Sequence, residues 1–257
     1  MNTLKVEKLN QHIGIEIQGL DDITKLDATI VQEIKQLILT YGFVVIKGIR
    51  KWSEQEQMAF TEKLGTLELP VVYSIPPTQI IGKNIKTRVE RGSGVFWHSD
   101  NSYQECPSHL SVFQMIEIPE SGTSTSFASL INLSRNLPKM DKSLWRDYSV
   151  VYRDAAVHPI LWKHPFNGKD TVYFDIGFST DILNHCDNGN KIPMKESNQI
   201  FNYINERLSD EESLIKHQWR EGDIIILDNY AVAHRADTLL DNENRVLLRM
   251  TTKGIYF

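Results

Sequence analysis

The stretch VFWHSDNSY, residues 95–103, sets His98 and Asp100 two positions apart among apolar and aromatic neighbours. On an extended strand, side chains two apart project from the same face, so this reading predicts an imidazole and a carboxylate side by side. Such a pair offers two of the three ligands of a facial triad, the arrangement that leaves a metal such as iron(II) with open positions. Taken alone, the two-residue pattern also arises by chance, and a hydrogen-bonded pair at a strand end reads it equally simply. A third ligand has to come from elsewhere in the chain.

Late in the sequence, GDIIILDNYAVAHRAD (222–237) runs from an apolar strand-like segment into His234, and NRVLLRMTT (244–252) follows. Arg245 and Arg249 are four apart on that strand, so they face the same way together with Leu247 and Thr251. Burying two guanidinium groups is costly without anionic partners, and a dicarboxylate co-substrate would meet them by bidentate pairing. The alternative is that each arginine pairs with an internal acid or lies on an outward face.

Around these segments the chain reads as scaffold. A strand is expected at about Gly14 to Ile17, then a helix with apolar Ile30, Val31, Ile34, Leu37 and Ile38, capped by Asp27 and ended by Gly42. FVVIKGI (43–49) is a buried-type strand, and Ser53 with Glu56 forms a capping-box pattern opening a second helix that Gly65 can close. From Val71 onward short β-rich runs dominate, including Val95 to Phe96, His109 to Ile116, Ala156 to Trp162, Thr171 to Phe174, Ile224 to Leu227 and Arg245 to Thr251. Asn167-Gly168 between two of these runs is a type I′ hairpin signal. Helical insertions are expected around Pro138 to Tyr148 and Ser197 to Leu208. The pattern is mainly β with flanking helices, a barrel or sandwich, in one domain spanning residues 1–257.

Composition narrows the function classes. With 41% hydrophobic and 24% charged residues over 257 positions, the chain has the make-up of an ordinary globular protein. A formal net charge of -5 and the lack of any Lys/Arg run longer than a dipeptide argue against a nucleic-acid partner. The first twenty residues lack the pattern of a signal peptide and no stretch approaches a membrane span, so a cytoplasmic protein with no membrane partner is expected. Cys106 and Cys186 occur without CxxC spacing and read as two free thiols. His158, His164, His12, His109, His185 and His217 lack partners at ligand spacing, and the five tryptophans are scattered, so both sets read as packing and hydrogen bonding.

The HSD triplet, the distant His234 and an arginine eleven residues after it resemble the taurine dioxygenase-like (TauD/TfdA) family of iron(II)/2-oxoglutarate oxygenases. The likeness extends from FVVIKGI through ESGTSTSFASL (120–130) and HPILWKHPFNGKDTVYFDIGFST (158–180) to the C-terminal histidine and arginine segments. The resemblance implies a double-stranded β-helix, or jelly roll, with helices packed outside. It implies that His98, Asp100 and His234 ligate Fe(II), that Thr125 and Arg245 hold the distal carboxylate of 2-oxoglutarate, and that Arg249 contacts the co-substrate or an acidic substrate group. With O2 as second co-substrate, it implies decarboxylation of 2-oxoglutarate to succinate coupled to oxidation of a small-molecule C–H bond. Retention of Asp100 disfavours halogenation, because related halogenases carry a small residue there.

Gly94 stands four residues before His98 where taurine dioxygenase has Asn, so the substrate pocket departs from the taurine pattern. Tyr73, Phe96, Asn101, Phe174 and Asp175 neighbour the motifs and are the candidates for lining that pocket, with Asp175 a potential partner for a substrate amine. The expected activity is hydroxylation or desaturation of an amino-acid-derived metabolite of specialised metabolism. A taurine or sulfonate dioxygenase of sulfur scavenging and a non-catalytic jelly-roll binding module are the competing readings. Family members are often homo-oligomers, but the chain offers no identifiable interface patch.

Overall fold

A strand apolar at every position needs cover on both faces, and the computed structural model of the chain provides it. The structure describes residues 4–20, 26–68, 94–153, 156–237 and 245–256, together with the backbone of 79–83. Strand β3 (Phe43–Ile46) is buried throughout. Val44 and Ile46 meet helices α1 (Ala28–Tyr41) and α2 (Glu54–Leu64) through Ile34, Ile38, Phe60 and Leu64, whereas Phe43 and Val45 point to the other side, toward Phe113, Phe127 and Leu247. Covering a side chain such as Ile34 contributes roughly 1.5–3 kcal/mol, so this alternation sets the layer order of helices, sheet and inner core.

Both helix starts follow the expected capping. The Asp27 carboxylate accepts from the Ile30 N–H at 2.9 Å. Ser53 and Glu56 form both halves of a capping box. Gly42 closes α1 at φ 81, where a Cβ would stand 2.7 Å from a Val232 methyl. A side chain there would meet both backbone strain and a clash.

The main sheet has the order β1 (Lys5–Lys8), β2 (Ile15–Gln18), β3, β14 (Ile224–Asp228), β5 (Leu110–Glu117), β16 (Arg245–Thr251), β4 (Gln79–Lys83). Only the β2–β3 pairing among these is parallel. Across the inner core lies β13 (Leu214–Gln218), β6 (Ser124–Ser129), β15 (Val232–Ala236), and the two sheets form the jelly roll. A further sheet, β12 (Asn190–Lys191), β11 (Ser179–Asn184), β7 (Tyr148–Tyr152), β8 (Val157–Pro159), packs with α5 (Met194–Leu208). Strands β9 (Leu161–Lys163) and β10 (Asp170–Val172) pair as a hairpin, and α4 (Lys139–Leu144) occupies the first expected insertion.

Two local expectations are corrected, and one helix comes in addition to those expected. Asn167-Gly168 is not a two-residue type I′ turn: Gly168 alone has positive φ, and its N–H closes on the His164 carbonyl at 2.8 Å in a longer loop. Helix α3 (Leu130–Arg135), capped by Ser129, was not anticipated because six residues are too few to show a helical period. Val95 to Phe96 is a turn rather than a strand, leaving both side chains about half exposed.

Candidate metal and co-substrate site

His98 and Asp100 do reach one site, but not as neighbours on a strand. His98 forms an isolated antiparallel bridge with His234, their backbones exchanging N–H···O bonds of 3.1 and 2.9 Å, while Asp100 lies in the following turn. That bridge brings residues 136 positions apart together, with ring centroids 4.2 Å apart. The Asp100 Oδ1 atom lies 4.0 Å from His98 Nε2 and 3.9 Å from His234 Nε2. Among the described residues, this is the group of three with metal-ligand spacing, its donor atoms all within 4.8 Å of one another.

The protonation states suit a divalent cation. His98 Nδ1 lies 2.8 Å from the Phe96 carbonyl, which can only accept, so Nδ1 carries a proton and Nε2 is the nitrogen turned to the site. Burial, then the neighbouring His98, Arg249 and Arg245, outweigh Asp100 and push the His234 imidazolium down to about 3, so the ring is neutral at physiological pH. Burial alone would raise the Asp100 carboxyl. Arg249, His234, His98 and the Ser111 hydroxyl reverse that and hold it below the usual carboxylate range. Two imidazole nitrogens and one ionised carboxylate are a donor set for iron(II).

Beside the cluster is a cavity whose polar wall carries Thr125, Arg245 and Arg249 and whose apolar wall carries Phe113, Phe127, Trp219 and Leu247. Arg245, Leu247, Arg249 and Thr251 are all buried, as the strand alternation predicts. Thr125 Oγ1 accepts from Trp219 Nε1 at 2.8 Å and lies 3.4 Å from Arg245 Nη2. With both acceptor positions engaged, the Thr125 hydroxyl has its own proton left to offer. Arg249 donates through Nη1 to Asp100 Oδ1.

The substrate candidates fare differently. Tyr73 lies outside the described residues. None of Phe96, Asn101, Phe174 and Asp175 lines this cavity. Phe174 packs on Phe201 in the core, ring centroids 5.0 Å apart. Asn101, at φ 57, donates to Ser108 at 2.7 Å and to Glu68 at 3.3 Å. Asp175 is buried, with Oδ1 accepting from the Gly177 and Phe178 N–H groups at 2.8 and 3.1 Å and Oδ2 from Ser102 at 2.6 Å. Its carboxylate organises a turn. Burial, opposed by His98 and these hydrogen bonds, raises its pKa.

Sequence reasoning missed Ser111, Trp219 and Asn229. Each touches a ligand or Thr125 rather than presenting a metal donor itself, and serine, tryptophan and asparagine on buried strands and turns carry no spacing signal. Of the other histidines, His158 and His164 make the hydrogen bonds expected of them, His158 Nε2 2.9 Å from the Gln104 carbonyl and His164 Nε2 2.8 Å from Asp228. Cys106 and Cys186 are free thiols.

A His–Asp–His face inside a jelly roll, next to a buried basic wall, defines the non-haem iron oxygenase class. The chain belongs to the taurine catabolism dioxygenase TauD, TfdA family, whose model matches residues 5–251. It is 24% identical to an alkylsulfatase of Acinetobacter baylyi over 98% of this chain and 85% of that protein. It is 21% identical to the 3-((Z)-2-isocyanoethenyl)-1H-indole synthase of Fischerella ambigua, covering 92% of this chain and 91% of that one. A solved taurine dioxygenase from Burkholderia xenovorans superposes with a TM-score of 0.84 at 25% identity, over 98% of this chain and 91% of the other. The protein is thus an Fe(II)/2-oxoglutarate-dependent dioxygenase acting with O2 on a small molecule, and the reading as a non-catalytic binding module falls away. No helix among the described residues is long and apolar enough to cross a membrane.

Proposed function

We propose that the enzyme hydroxylates or desaturates an unactivated C–H bond of a small, amino-acid-derived metabolite, with His98, Asp100 and His234 holding the iron. The observation that carries this reading is the convergence of all three with Thr125, Arg245 and Arg249 on one cavity. When bound, iron(II) with 2-oxoglutarate and dioxygen supplies the oxidising power, and 2-oxoglutarate leaves as succinate and CO2.

The protein's own groups hold and orient. Arg245 offers a planar fork and Thr125 a hydroxyl proton, which together suit the distal carboxylate of 2-oxoglutarate. Phe113, Phe127 and Leu247 exclude water from the same space, which strengthens that pairing. Beyond the co-substrate, the relatives' names point to widely different substrates, which supports a target selected by the pocket residues. The Asp175 contacts remove one argument for an amine, since that carboxylate is occupied by Ser102, Gly177 and Phe178.

A second reading, a sulfonate or sulfate-ester dioxygenase, is favoured by the names of several relatives and by a second cation at the cavity, Arg249, whose Nη1 already pairs with Asp100. The test is a screen of amino acids, N-substituted amino acids, sulfonates, sulfate esters and short acids for stimulated succinate release, with the mass of each added compound followed. Gain of one oxygen or loss of two hydrogens on an amino-acid derivative supports the proposal. Stimulation by sulfonates or sulfate esters alone, with release of sulfite or sulfate, would replace it by the second reading.

A further inference from the structure

Asp100 is held by a closed ring of hydrogen bonds whose direction is forced by its members. The Asp100 backbone N–H can only donate, so the Asn229 atom that meets it at 3.0 Å is the amide oxygen. The Asn229 amide nitrogen therefore faces Ser111 and donates to Oγ at 2.9 Å. With its oxygen accepting that bond, Ser111 gives its own proton to Asp100 Oδ2 at 2.6 Å. Asp100, Ser111 and Asn229 are each at most 1% exposed, so no solvent competes for these bonds.

The ring leaves the two carboxylate oxygens unequal. Oδ2 is engaged by Ser111 and faces away from the imidazoles, whereas Oδ1, which accepts from Arg249 Nη1, is the atom that lies 4.0 and 3.9 Å from the two imidazole Nε2 atoms. Asn229 sits in the turn between β14 and β15, and that turn has its own anchor. Asp228 accepts from the Tyr230 N–H at 2.9 Å and pairs with His164 at 2.8 Å.

We propose that Ser111 and Asn229 are positioning residues that restrict Asp100 to one-oxygen ligation, keeping a coordination position open that a two-oxygen carboxylate would fill. This inference rests on the reading of His98, Asp100 and His234 as the metal ligands. It adds that the openness of the site is set by two neutral side chains that never touch the metal. Outer-shell hydrogen bonds of this kind change metal affinity by roughly 10- to 100-fold.

The experiment is anaerobic titration of Mn(II) and Co(II) into wild type, Ser111→Ala, Asn229→Ala and the double variant, with thermal unfolding of the metal-free proteins measured alongside. Because the ring acts as a unit, each single change is expected to shift Mn(II) affinity about 10- to 100-fold and the double to add less than threefold more. The Co(II) absorption spectrum, which reports coordination number and geometry, is expected to change in the same variants. Wild-type Mn(II) affinity and an unchanged Co(II) spectrum in folded Ser111→Ala, whatever its melting temperature, would overturn the proposal. Should Asn229→Ala fail to fold, Ser111→Ala, which deletes one oxygen atom, decides alone. Failure of the wild type itself to bind Mn(II), or undiminished binding by Asp100→Ala, would instead overturn the ligand assignment on which the inference rests.

Discussion

Replacing Arg245 by methionine should abolish tight binding of 2-oxoglutarate while leaving metal binding intact. Arg245 is 5% exposed on β16, and its Nη2 atom lies 3.4 Å from Thr125 Oγ1 in a cavity that Arg249 and the three ligand residues share and that Phe113, Phe127, Trp219 and Leu247 wall on the apolar side. A carboxylate brought there loses its hydration and regains it chiefly through the guanidinium fork and one hydroxyl, since Arg249 is already engaged by Asp100. Truncating one partner of such a buried, hydrogen-bonded charge pair costs about 2–4 kcal/mol, and each 1.4 kcal/mol is about tenfold in affinity. The dissociation constant of 2-oxoglutarate should therefore rise roughly 30- to 1000-fold. Arg245→Lys keeps the charge but not the fork and should fall between the two. The assay is calorimetric titration of 2-oxoglutarate into Mn(II)-loaded protein. A constant within about threefold of wild type for Arg245→Met, well short of the expected loss, would refute the reasoning.

Three further outcomes follow from the same geometry. Trp219→Phe removes the donor that orients Thr125, worth about 0.5–1.5 kcal/mol, so 2-oxoglutarate binding by the same calorimetry should weaken about two- to tenfold. The Asp228 carboxyl, fully buried, is raised by desolvation but lowered further by His109, 3.7 Å away, and by the hydrogen-bonded His164, and lies below its ordinary value. Between the folded pKa and about 3.9 in the unfolded chain, the unfolded state binds more protons, so this contribution is present above about pH 4 and lost as pH falls. Asp228→Asn should flatten that acid limb in denaturant unfolding and cost about 3–5 kcal/mol near neutrality. Asp175→Ala should lower unfolding stability by about 1–3 kcal/mol yet leave the rank order of accepted substrates unchanged, which a change in amine preference would contradict.

Legibility of the sequence followed the range of the interaction. The helix caps at Asp27 and Ser53 are contacts within three residues, and both formed as read. The continuous apolar runs of FVVIKGI and IIIL, covered on two faces, placed the central strands, and the four-residue spacing of Arg245 and Arg249 placed both at the cavity. His98 and Asp100 were assigned to one site for a reason only half right: they converge through the backbone bridge to His234 and a turn, a long-range pairing that no local periodicity encodes. Phe174 and Asp175 neighbour the motifs in sequence but turn into the core and a turn network, because adjacency along an irregular segment does not set side-chain direction. Ser111, Trp219 and Asn229 were invisible for the opposite reason. Their importance lies in which donor faces which acceptor across strands, and that is fixed only when the sheet closes.

The central claim, that these distant side chains grip one iron ion and leave room for a chelating diacid, is tested most directly by optical titration under anaerobic conditions with iron(II) and 2-oxoglutarate. The account predicts a visible metal-to-ligand charge-transfer absorption in the wild type that is lost in Asp100→Ala and in His234→Ala. A full-strength absorption in either variant, or none in the folded wild type, would contradict it.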